Sequence, residues 1–68
     1  MKDWHLLIKT RNFSEANIAK GVLEENNIPV YLLNKQDSSY QIFGEIELYV
    51  PVTFKDVANG LLNKALLN

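Results

Sequence analysis

The side chains of this chain that could do chemistry are few and scattered. His5 is its one histidine. An imidazole titrates near neutrality and can act as a base or a metal ligand. A metal site needs further ligands, however, and no second histidine or cysteine stands at a ligand spacing. Glu45 and Glu47, two apart on an extended segment, share one face. Such a pair does acid–base work when one member is desolvated. When hydrated, both simply pair with cations, and Lys9 and Lys35 are placed to be those cations on neighbouring strands. The run Asp37-Ser38-Ser39-Tyr40, next to Lys35, offers hydroxyls and backbone amides to an anion or to peptide groups. The same residue types also cap their own backbone in ordinary turns. Tyr31 and Tyr49 carry rings that could stack bases, as in RNA-recognition sheets. With Glu45 and Glu47 beside them and a net charge of −1, nucleic acid is not the expected partner. No nucleophile stands with a base, so neither catalysis nor a metal or cofactor is expected.

Five elements must position these groups. Trp4 to Thr10 alternates as a strand, with Trp4, Leu6 and Ile8 predicted to face a core and His5, Leu7 and Lys9 to face away. Asn12 followed by Glu15 reads as a capping box opening a helix from Phe13 to Asn26, with Ala16, Ile18, Ala19, Val22 and Leu23 on its apolar arc. Asn26-Asn27 stops it, because Asn tolerates the left-handed conformation of a helix end. Pro29 to Lys35 is a second strand, Val30 and Leu32 alternating with Tyr31 and Leu33. Glu45 to Val50 is a third, with Ile46, Leu48 and Val50 facing inward. Thr53 then caps a last helix carrying Phe54, Val57, Ala58, Leu61, Leu62 and Ala65 at i, i+3, i+4 spacing. The helices share an echo, Ala19-Lys20-Gly21-Val22-Leu23 and Ala58-Asn59-Gly60-Leu61-Leu62, which reads first as chance between two amphipathic helices drawing on the same residues; the alternative is packing, with paired glycines letting the helices approach closely.

The chain has 68 residues, room for one domain spanning 1–68. Folding a chain of this mass buries enough apolar surface to contribute on the order of 100 kcal/mol. Ordering it costs about the same, ~1.5 kcal/mol per residue. A further buried surface would therefore matter, which favours self-association. There is no cysteine, which removes disulfides and thiolate chemistry and fits a reducing cytoplasm. No secretory leader pattern and no span-length apolar run is expected to place the chain in or across a membrane.

The order strand, helix, strand, strand, helix predicts an α+β fold, a ferredoxin-like βαββα two-layer sandwich. Its three-stranded sheet would run in the order 1-3-2, with both helices on one face. The other face is then left bare, and the first strand leaves an open edge. On the bare face the alternation predicts His5, Leu7, Tyr31, Leu33, Glu47 and Tyr49, with Lys9, Glu45 and Lys35 among them. Apolar groups ringed by both signs of charge make an interaction face, and a homodimer is the simplest occupant.

Three stretches carry a resemblance across nearly the whole chain. They are the helix and its exit from Glu15-Ala16 through Lys20-Gly21-Val22-Leu23-Glu24-Glu25-Asn26-Asn27-Ile28-Pro29, the run Asn34 to Tyr40, and the strand Phe43 to Pro51. Together they resemble small bacterial domains grouped as prokaryotic signal-transducing proteins. The resemblance implies a fold similar to that of the nitrogen-regulatory PII proteins and a role in signalling. Asn27 departs from the family, which usually has Gly there. The chain also lacks the Gly-rich phosphate loop and long regulatory loop of PII. The expected function is thus a non-catalytic regulatory or protein-interaction module using the open face or edge. The alternative is a small-ligand or anion sensor built on Lys35, Asp37, Ser38, Ser39 and Tyr40.

Overall fold

The computed structural model describes residues 3–35 and 45–66. The elements are β1 (Trp4–Thr10), α1 (Phe13–Glu25), β2 (Tyr31–Asn34), β3 (Ile46–Pro51) and α2 (Lys55–Leu66). Both outer strands pair antiparallel with β3, giving the order β1-β3-β2. The predicted α+β sandwich with this strand order is the observed one. Ala19 and Leu23 of α1 and Ala58 and Leu62 of α2 join Leu48 and Val50 of β3 in one buried cluster. Leu48 and Val50 are two apart on a strand and point to one side, so both helices lie on that side.

The cap residues do what their chemistry suggests. Asn12 Oδ1 accepts from the Glu15 backbone N–H at 3.2 Å, satisfying one of the helix's free amides. At the other end Asn27 has φ 61°, the left-handed region. Around it, the Ile28 N–H donates to the Leu23 carbonyl at 3.0 Å and the Asn27 N–H to the Glu24 carbonyl at 3.0 Å. This is the Schellman arrangement, and the accompanying apolar contact is between Ile28 and Leu23, both buried. The chain reaches β2 with Ile28 already in the core. α2 starts differently from expectation. A 3₁₀ turn over Val52–Phe54 leads into it, so Thr53 lies inside a turn rather than in front of the helix.

The buried arcs of both helices are narrower than the apolar residues suggest. Ile18 and Val57 are more than half exposed. Alanines at 16, 19 and 58 let the helix backbones sit close to the sheet, and residues 100° or more off that line stay in solvent. The glycines do not mediate helix contact. A Cβ at Gly21 or Gly60 would meet nothing within 4 Å. Gly60→Ala is therefore expected to stabilise the fold by about 1 kcal/mol, the difference in helix propensity. Urea denaturation of the two proteins checks this.

The main departure from expectation lies in β1. Leu6 pairs with Tyr49, yet Ile8 pairs with Leu48, and the register shifts between Leu6 and Ile8. One extra residue, Leu7, is accommodated as a β-bulge, and the alternation reverses across it. His5 faces the same side as Val50, its partner in the register. Leu7 packs on the core beside Ile8. Both were predicted on the open face and lie on the helix side instead. Trp4 and Leu6, predicted for the core, lie on the open side with Tyr49.

Candidate functional site

The open face is laid out by register. One row holds Leu6, Tyr49 and Tyr31; the next holds Lys9, Glu47 and Leu33. Lys35 follows Leu33 by two residues, and its N–H donates to the Glu45 carbonyl at 3.0 Å, which extends the ladder. At the aromatic end the Trp4 and Tyr31 rings meet edge to face, centroids 6.5 Å apart and planes 63° apart. Tyr31 and Tyr49 sit 6.4 Å apart, tilted at 44°. Offset and edge-on contacts of this kind are the favourable ones for aromatic quadrupoles. Tyr31 remains 44% exposed and Leu6 36%. None of the described elements packs on this face.

At the charged end Glu47 is only 5% exposed, not the hydrated surface acid expected from an open face. Its two oxygens are both used. The Tyr49 hydroxyl donates to Oε1 at 2.7 Å, and the Lys35 ammonium lies 3.3 Å from Oε2. The expected cross-strand pairing of Glu47 with Lys35 is therefore present, and Lys9 stands opposite Glu47 in the register. The Tyr49 hydrogen bond, helped by Lys35 and Lys9 and opposed by burial, holds the Glu47 carboxyl below its ordinary value of 4.5. The same bond, together with burial, raises the Tyr49 phenol above 10. A lowered acid contributes stability at pH above its unfolded value, and that contribution is lost as pH falls through the folded value. For a raised phenol the contribution is present below pH 10 and is lost as pH rises through the folded value. Tyr49→Phe removes the largest cause of the Glu47 shift. It is expected to move the Glu47 midpoint upward toward 4.5, read from the carboxyl carbon resonance in a pH titration.

An acid held ionised by a phenol and an ammonium is a poor proton donor at neutral pH. Glu45, the other carboxylate of the candidate pair, is half-exposed just before β3. Among the described residues there is no cavity and no group of three or more His, Cys, Asp or Glu side chains that could hold a metal. No helix among them is long and apolar enough to cross a membrane. Of the predicted face residues, Tyr31, Leu33, Glu47 and Tyr49 share one side of the sheet, while His5 and Leu7 lie on the other. Trp4 and Leu6 were missed. A signal for them existed: Leu6-Leu7-Ile8 is an apolar triplet that breaks strict alternation, as a bulge does. Of the predicted ligand loop only Lys35 is among the described residues, and it is committed to Glu47. Asp37, Ser38, Ser39 and Tyr40 lie outside them.

No curated protein and no solved structure matches the chain. A family model does, over residues 4–65, and its description reads "putative prokaryotic signal transducing protein". That span runs from the first residue of β1 to the last turn of α2 and includes every open-face residue named above. The chain belongs to the family so described.

Proposed function

We propose that this chain is a non-catalytic, cytoplasmic interaction module that relays a signal by docking a protein on the open face of its sheet. The observation that carries this reading is the side-by-side placement of Trp4, Leu6, Tyr31, Leu33 and Tyr49 on the side of the sheet away from both helices, with Leu6 and Tyr31 exposed and the other three half-buried. Aromatic anchors set among charged groups are the usual make-up of the energetic centre of an interface. The bulge supports the face over the edge. An edge strand broken by a bulge and bearing Lys9 is poorly suited to pairing with another strand. The opposite edge, β2, has only four residues and follows Pro29, which has no N–H to donate.

A photo-crosslinking amino acid at position 33 tests this in cells, with position 18 on the exposed helix surface as control. Position 33 is expected to give one discrete adduct and position 18 none. Adducts from position 18 alone, or from neither position, would refute the docking face.

A further inference from the structure

The two ends of the open face differ in chemistry, and that difference selects an occupant. Leu6, Tyr49 and Tyr31 form an apolar row, extended by Trp4; Lys9, Glu47 and Leu33 form a mixed row, extended by Lys35. We infer that the partner on this face is a second copy of this chain, packed sheet on sheet about a two-fold axis that crosses the strands. The inference rests on the docking-face reading above and names its partner.

With that axis the strands of the two copies run antiparallel, and the aromatic row of each copy covers the lysine row of the other. Leu6 lies over Lys9 of the second copy, Tyr31 over its Leu33, and Tyr49 over its Glu47. The Lys9 stem then lies against Leu6 of the other copy, a favourable contact that leaves the ammonium at the rim. A two-fold axis along the strands would instead set Glu47 on Glu47 in a dry interface, which repels. Aligned packing of two twisted sheets tolerates this arrangement within about 30°. The eight side chains of the face offer on the order of 500 Å² per copy, about 1,000 Å² in all, the lower bound for a specific interface. The dimer is therefore weak and depends on concentration. That suits a switch, and it suits a chain whose folding balance is close.

Sedimentation equilibrium tests this on the full chain from about 10 µM to about 1 mM, the range of a weak dimer. The mass is expected to climb from 7.8 kDa toward twice that value. Leu6→Lys places like charges together and is expected to weaken association about tenfold or more. Adding Lys9→Glu to it restores an opposite pair and is expected to recover most of the loss. Should Leu6→Lys not fold by circular dichroism, Tyr31→Lys with and without Leu33→Lys and Leu33→Glu makes the comparison at the neighbouring contact: Leu33→Lys sets like charges together and Leu33→Glu an opposite pair. A mass of 7.8 kDa throughout, or a double variant no better than the single one, overturns the inference. A monomer that still gives one adduct with a different protein from position 33 overturns the second copy and leaves the docking face standing. A monomer that gives no adduct removes both.

Discussion

Leu48→Ala is expected to remove a large part of this protein's stability. Leu48 is fully buried at the middle of the central strand, paired with Ile8 on one side and Leu32 on the other. Its side chain lies in the cluster that joins both helices to the sheet. Removing a buried leucine beyond Cβ costs about 3–5 kcal/mol, the lost transfer energy plus the cavity left behind. A domain of this length has a total stability of about 3–10 kcal/mol. The substitution therefore removes a large part of the whole, and the melting midpoint should fall by more than about 10 °C. Thermal melts by far-ultraviolet circular dichroism measure it. A loss below about 1 kcal/mol would mean that Leu48 does not sit where the two layers meet.

Leu7→Asp and Leu6→Asp form the second test, and they oppose each other. Strict alternation in β1 would bury Leu6 and expose Leu7. The bulge does the reverse, placing Leu7 against the core and Leu6 on the open face. A carboxylate at position 7 would be set half-buried against the apolar core, at a cost of about 2 kcal/mol or more. At position 6 it would face solvent with Tyr49 opposite, and the monomer fold should lose less than about 1 kcal/mol. Chemical denaturation below the concentration at which copies associate separates the two. If the Leu6 variant is the damaged one, the strand has no bulge and the open face loses Leu6. The docking proposal would then lose one side of its aromatic end.

The elements themselves were readable because each rests on local chemistry. Asn12 and Glu15 mark where α1 starts, since a side-chain oxygen must satisfy its free amides. Asn27 marks where it ends, since few residues other than glycine accept a positive φ there. The clean alternation of Ile46, Leu48 and Val50 identifies the central strand, whose three inner side chains are all fully buried. What could not be read locally is where the helices' apolar arcs stop. Ile18 and Val57 have the same chemistry as Val22 and Leu61, and only the position of the neighbouring layer leaves them in solvent. Glu47 is a similar case. Its burial comes from the strands on either side and from the Lys35 and Tyr49 groups they bring to its two oxygens.

The amino-acid sequence by itself determined the number, type and order of the elements, the strand order 1-3-2 and the side of the sheet on which Ile46, Leu48 and Val50 lie. The elements follow from capping and periodicity, which act between residues near in the chain, and the strand order from the handed crossover and the need of both helices to cover one face. The tertiary structure alone decided which side chains of β1 face outward. A bulge exists only as a mismatch between two strands, here between Leu6–Ile8 and Leu48–Tyr49, residues about forty positions apart. That one inserted residue carries Trp4 and Leu6 to the open face and turns His5 and Leu7 toward the helices.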